Sequence, residues 1–390
     1  MGIFEKMDRE KIVAWRRHFH MYPELAFSEH ETADYIVRQI EAYEGIEILR
    51  PTPTAVVAVL KTGKPGPVIG LRADIDALPI LEEADVPFKS KNEGVMHACG
   101  HDCHGAMLLG ALHYLYGERK NLCGTVKFIF QHAEELPPGG AVQICKTGLL
   151  DDVEVFYGSH IFLNGPPGTV TAAAGPIYAN TDSFDICIQG KGTHAARPEK
   201  GIDSLLIGTE VVQAINFIVP RYVSASAKAV VTVGAFNSGN IHNVVPDKAT
   251  ILGTVRTYDR DVRALIEERI KAIARGICDA YGASCKVEYG GGYDAVVNDE
   301  KLYGFFKVMA KKYVPDIMLH VKEPLMGGED FSEYGKIAPS LFVGIGARPE
   351  GGETYGGHHP KFVVDEDALP YGAALYAAFA LEIMQSGVPK

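Results

Sequence analysis

The chain has 390 residues and a formal net charge of −11. That is long for one hydrophobic core, so two domains are expected, and too acidic for a partner that calls for a basic surface, which excludes nucleic acid and anionic membranes. Seven cysteines without framework spacing fit a reducing, cytoplasmic setting in which thiols stay free or bind metal.

The opening segment Gly2-Ile3-Phe4-Glu5-Lys6-Met7-Asp8 is charged and lacks a signal-like apolar stretch, and no run approaches the ~20 apolar residues needed to span a bilayer. The first strand signal is Val68–Ala73, a short apolar run ending in Asp74 and Asp76. The string Met96-His97-Ala98-Cys99-Gly100-His101-Asp102-Cys103-His104 follows, and Ala106–Leu115 then has a helical pattern. Thr125–Phe130 reads as a second buried strand, followed shortly by Glu134 and Glu135, and Val153–Tyr157 as a third, ending before His160. Helical segments separate these runs, which predicts βαβ units around a mainly parallel sheet. In such sheets the functional crevice lies at the carboxyl ends of the strands, where these runs place carboxylates and an imidazole.

From about residue 180 the rhythm changes. Ser183–Ile188 alternates like a half-buried strand, and Ser204–Val219 is helical in pattern. Ala229–Gly234 and Thr250–Val255 are strands, Val262–Tyr281 is an amphipathic helix stopped by Gly282, and Ser284–Tyr289 closes the set. The order βαββαβ predicts a ferredoxin-like α+β domain. Glycines at Gly175 and at Gly290–Gly292 mark hinges, and the chain then resumes helices and the strand Ser340–Ile345. The expected division is a catalytic, metal-binding domain of residues 1–178 and 291–390 with an inserted lid and dimerisation domain of residues 179–290.

The cluster from His97 to His104 crowds three imidazoles, two thiols and a carboxylate together. Neutral imidazole, thiolate and carboxylate are the ligand set of a borderline divalent metal, and the Cys99-x-His101 spacing lets both side chains converge from one tight turn. Adjacent carboxylates such as Glu134 and Glu135 repel each other unless a cation holds one and leaves the other free to take a proton. This is the pattern of metal-assisted hydrolysis.

Six strings occur in one order: Arg17-His18-Phe19-His20-Met21-Tyr22-Pro23-Glu24-Leu25, Leu71-Arg72-Ala73-Asp74-Ile75-Asp76-Ala77-Leu78-Pro79-Ile80, the His97–His104 cluster, Glu134-Glu135, Gly192-Thr193-His194-Ala195-Ala196-Arg197-Pro198 and Met326-Gly327-Gly328-Glu329-Asp330-Phe331. Together they resemble the co-catalytic metallopeptidase and amidohydrolase family of aminoacylases and carboxypeptidases. The branch is that of hippurate hydrolases, N-acetyl-diaminopimelate deacetylases and hydrolases of indole-3-acetyl amino acids. The resemblance implies a metallopeptidase-like α/β catalytic domain. It also implies two divalent metal ions per subunit, zinc or manganese with cobalt able to substitute, held by Cys99, His101, Glu135, His160 and His358. His358 is preferred to His359 because the family's ligand precedes a residue and a proline. Glu134 is implied as general base and His194 as donor to the oxyanion, often across a dimer. Asn243 and Arg256 are implied as binders of the substrate carbonyl and carboxylate, and Glu329 as a lining residue of the pocket. Relatives in other branches have a His-x-Asp motif where this chain has Asp74-x-Asp76, so the first ligand is changed, while Asp76 keeps the place of an orienting carboxylate. Cys99 takes over as ligand, with a thiolate able to bridge both metals.

The function expected is cleavage of the amide bond of N-acyl amino acids by a metal-activated water, in a homodimer joined through the lid domain. A dipeptidase or aminocarboxypeptidase would use the same site. A thiol hydrolase built on Cys99 or Cys103 and a non-catalytic binding protein are the rivals from other classes.

Overall fold

The run Val68–Ala73 does form a strand, Val68–Asp74, buried along most of its length at the centre of an eight-stranded sheet. The structure is a computed structural model and describes residues 2–314, 316–351 and 353–389. In order across the sheet the strands are Glu47–Leu49, Val56–Lys61, Thr125–Gln131, Val68–Asp74, Val155–Phe162, Ser340–Gly346, Thr169–Ala172 and Met318–Val321. The four central strands are parallel to one another. Antiparallel pairs join Val56–Lys61 to both of its neighbours and Thr169–Ala172 to Ser340–Gly346. The expected mainly parallel sheet is therefore the centre of a mixed one.

The third strand departs from its sequence reading. It runs Val155–Phe162 and contains His160, because the parallel partner Ser340–Gly346 pairs along it as far as Phe162. Gly158 and Ser159 interrupt the apolar run that the sequence reading relied on. The helix after the histidine cluster also begins earlier than expected, spanning His101–Glu118. It is buried on nearly every side, as a helix that is apolar all round must be, and it packs against Leu369–Ser386, Arg9–Met21 and the sheet.

Two units cluster separately. The larger comprises the residues up to Ile177, Val296–Glu323 and those from Asp330 on, and the smaller comprises Tyr178–Ala295 with Pro324–Glu329. In the smaller unit the strands lie in the order Ala229–Ser238, Lys248–Thr257, Asn180–Gln189, Ser284–Gly291, all antiparallel. Helices Ser204–Asn216 and Arg260–Ala280 cover one face. Ile207, Val211 and Ile215 from one helix, and Ile266, Ile270 and Ala274 from the other, share a core with Ile186, Ile188 and Ile251 of the sheet. The alternation read from Ser183–Ile188 is this half-buried sheet. Burying each such aliphatic side chain contributes about 1.5–3 kcal/mol. Among the described residues, no helix is long and apolar enough to cross a membrane.

Candidate metal centre

Gly100 sets the geometry of the cluster. It holds φ +93° at the start of the helix His101–Glu118, and a Cβ there would stand 2.8 Å from the Ile161 side chain. Only glycine meets both demands, a left-handed backbone and a close neighbour. The turn brings Cys99 and His101 together with His160 of the central strand, their ligand atoms all within 4.8 Å of one another. His160 Nδ1 lies 2.7 Å from the Ile161 carbonyl, which it fits as a donor, leaving Nε2 as the lone-pair nitrogen 3.3 Å from Cys99 Sγ.

Cys99 also belongs to a second triad, with Glu135 and His358. His358 has φ +66° and donates its backbone N–H to the Ala98 carbonyl at 2.8 Å. Its Nε2 is 3.2 Å from Glu135 Oε1. Asp76 ties the two triads: Oδ1 is 3.0 Å from His101 Nδ1, and Oδ2 accepts the Glu135 N–H at 2.9 Å. His101 therefore turns Nε2 toward Glu135 Oε1, 3.9 Å away. That Nε2 also lies 3.6 Å from Asp74 Oδ2, and Glu135 Oε1 is shared between it and His358 Nε2. Imidazole, thiol and carboxylate atoms gathered this closely fit a cation.

The electrostatics agree. Burial alone would lower His101, but Asp74, Cys99 and the Asp76 hydrogen bond raise it well above the usual imidazole range. Hydrogen bonds to Cys99 and Glu135 push His358 up to about 10. The site thus draws positive charge onto its imidazoles in the absence of a metal. His160 goes the other way, held well below its usual range by burial and by the neighbouring His104, and so is a neutral donor. Burial raises the Cys99 thiol, and it raises Cys103, fully buried, still further with help from Asp102. A thiol nucleophile needs the opposite shift, so neither cysteine is poised for that chemistry.

Carboxylates behind the triads fix the strand ends. Asp74 accepts from His104 Nδ1 and, at 3.0 Å, from Arg72, while His104 Nε2 accepts the Ile161 N–H at 3.0 Å. Asp74 stays well below the usual carboxylate range because His101, His104 and Arg72 outweigh its burial. It is thus engaged by Arg72 and His104. Arg72 donates also to Gln131 and Asp330, each at 2.8 Å, so the buried guanidinium is matched on several sides. Asp102 receives Arg16 Nε and faces His20 Nδ1, each at 2.8 Å. The sequence reading left Arg72 and His104 without roles and read Asp330 with Glu329 as pocket lining, whereas Asp330 accepts from Arg72 and Gln131. Their signal was present in the quoted motifs, but only the fold pairs residues so far apart in the chain.

Glu134 is buried, and its carboxylate forms a further group within 4.8 Å with His101 and Glu135. The larger unit thus assembles Asp76, Cys99, His101, Glu134, Glu135, His160 and His358. The other four expected residues belong to the smaller unit. His194 is exposed on the two-residue strand Thr193–His194, where Val244 is its register partner and Ala195 N–H donates to the Asn243 carbonyl at 3.0 Å, so His194 and Asn243 are neighbours. Arg256 is half-buried on Lys248–Thr257, with NH1 donating to Thr254 Oγ1, to the Val255 carbonyl at 2.9 Å and to the Asp182 carbonyl at 3.3 Å. Glu329 is buried.

Comparison with known proteins gives the same picture at the level of the whole chain. Residues 70–382 match the model of peptidase family M20/M25/M40. An N-acyl-L-amino acid amidohydrolase of Geobacillus stearothermophilus is 44% identical over 287 residues, which are 74% of this chain and 78% of that protein. An N-acetylcysteine deacetylase of Bacillus subtilis is 37% identical over 384 residues, 98% of this chain and 99% of the other. Among solved structures, a dinuclear metal binding peptidase of the M20 family from Bacillus subtilis superposes with a TM-score of 0.84 at 35% identity, covering 97% of this chain and 99% of its own.

Proposed function

The chain belongs to peptidase family M20/M25/M40 and is a metal-dependent hydrolase of amide bonds, and from that premise we propose how its residues divide the work on an N-acyl amino acid. The observation that carries the assignment is Cys99, shared by two triads of possible ligand atoms, with His101 and His160 in one and Glu135 and His358 in the other. Cys99, His101 and His160 would hold one divalent ion, and Cys99, Glu135 and His358 would hold a second. Zinc or manganese suits this mixed set, with cobalt able to substitute. When bound, the ions supply Lewis acidity toward water and the scissile carbonyl.

The chain's own groups do the rest. Glu134, beside the ligands yet outside both triads, takes the proton of the attacking water and passes it to the leaving amine. Asp76 orients His101 and the Glu135 backbone. His194 donates to the developing oxyanion, Asn243 to the acyl carbonyl, and Arg256 pairs with the substrate carboxylate through its planar fork. Glu329 lines the substrate pocket.

The smaller unit serves as lid and dimerisation domain. Its surface supports this: Ala229–Ser238 is a sheet edge that exposes Val230 and Phe236, and the helix Ser204–Asn216 exposes Leu205 and Leu206, the kind of open apolar edge that pairs with another chain. A reducing cytoplasmic location suits a thiolate ligand and seven free cysteines.

The test is a substrate panel on the metal-loaded protein, comparing N-acetyl and N-benzoyl amino acids with dipeptides. Faster release of the N-acyl amino acids is the expected result. Preference for dipeptides would transfer the assignment to a dipeptidase, and hydrolysis of neither would overturn it.

A further inference from the structure

Among the described residues, three other than glycine hold a left-handed backbone: Phe27 at φ 65°, Ala133 at φ 50° and His358 at φ 66°. Such conformations persist in side-chain-bearing residues only where the surroundings over-determine them, and they gather at functional sites. His358 is a proposed ligand. The segments of the other two meet, since the Phe27 ring packs edge-on against His132, the neighbour of Ala133, with centroids 5.6 Å apart.

Glu29 joins the two segments. It is wholly buried, and its Oε1 accepts the Ala133 N–H at 2.7 Å. Its backbone is anchored as the N-cap of the helix His30–Ile40, with its carbonyl accepting the Ala33 N–H at 3.0 Å. From the other side, the Ala133 carbonyl accepts the Gly140 N–H at 3.1 Å. Ala133 is thus held at both its amide and its carbonyl. A buried carboxyl is costly without compensation, and Oε2 of this one has no hydrogen-bond partner among the described residues.

The two residues after Ala133 explain the arrangement. In a continuing strand Glu134 and Glu135 would point to opposite faces. Here oxygens of both lie with a His101 nitrogen inside one 4.8 Å group, so the chain must leave strand geometry after Gln131. We propose that Glu29 is a positioning residue for the base: by holding the Ala133 N–H it keeps that residue left-handed and so delivers Glu134 and Glu135 to the same site. The proposal rests on Glu134 being the base, as assigned above.

The test compares Glu29→Met, Glu29→Gln, the double variant Glu29→Met/Ala133→Gly, and Glu134→Gln, each metal-loaded, by kcat, KM, metal content and melting temperature with an N-acyl amino acid as substrate. Methionine fills the buried volume without an acceptor oxygen, whereas glutamine keeps one for the Ala133 N–H. Glu29→Met is expected to lower kcat by about tenfold or more with KM unchanged, as a misplaced base would, and with metal content kept because Asp76 still holds the Glu135 N–H. Glu29→Gln should stay within about threefold of the parent, since the amide oxygen still accepts the bond. The double variant should recover at least ~3-fold over Glu29→Met, because glycine takes φ near +50° unaided. Unchanged kcat in Glu29→Met, or equal losses in the Met and Gln variants, would overturn the positioning role. Glu134→Gln separates the two ideas: if it is inactive while Glu29→Met is normal, only the Glu29 proposal falls, and if it retains full activity the base assignment itself falls. Should Glu29→Met not fold, the same comparison is made with Glu29→Ala.

Discussion

His101 Nδ1 sits 3.0 Å from Asp76 Oδ1, and the other oxygen of the same carboxylate takes the backbone N–H of Glu135 at 2.9 Å. One buried side chain therefore orients His101 of one triad and Glu135 of the other. Its own charge is kept, because the hydrogen bonds from His101 and Glu135 outweigh burial and lower it below the ordinary carboxylate value.

Replacing Asp76 by Ala should weaken metal binding by about 10–100-fold, the usual cost of losing a carboxylate behind a ligating histidine. Competition with a chromogenic chelator measures this directly. An unchanged affinity would show that His101 and Glu135 hold their places without Asp76.

Cys99→Ser and Cys103→Ser should part company. Cys99 belongs to both triads, whereas Cys103 is fully buried behind them. The first substitution should lower metal content and rate together, and the second should leave metal content near that of the parent. Equal losses in both would reopen the thiol-nucleophile mechanism.

Glu29 gives a pH dependence with a definite sign in the metal-free protein. Burial, and then the charge of Asp76, push its carboxyl from an ordinary 4.5 up to about 7. The folded state thus binds the proton more tightly than the unfolded state, so stability from this group is complete below about 4.5 and lost as pH rises through about 7. Urea unfolding at pH 5 and pH 8 should show Glu29→Gln more stable relative to the parent at pH 8 than at pH 5. A difference independent of pH would mean that Glu29 does not titrate in this window.

His194 can be tested for action between subunits. If it serves the partner's site, mixing His194→Ala and Glu134→Gln proteins should restore part of the activity, since each mixed dimer then has one site with both groups intact. No recovery, with subunit exchange verified by mass spectrometry, would confine His194 to its own chain.

Much of this was legible in the sequence for physical reasons. The central strands are buried on both faces and read as apolar runs, and the sheet of the smaller unit, covered on one face, reads as alternation. The candidate ligands Cys99, His101 and Glu135 were visible because the first two lie within one turn of chain and the third follows a strand closely. His160 was read as lying beyond its strand, since Gly158 and Ser159 break the apolar pattern while the ladder to Ser340–Gly346 continues. Glu29 left no signal at all. A single acid in a turn looks solvated, and its use depends on the left-handed Ala133 more than a hundred residues away in the chain.

The central claim, that Glu134 is the base beside a metal site it does not build, is tested most directly by Glu134→Gln with metal content and kcat measured on the same sample. Parental metal content is expected with a loss of at least ~10²-fold in kcat, the lower scale for removing a general base. Near-parental turnover at full metal content would contradict it.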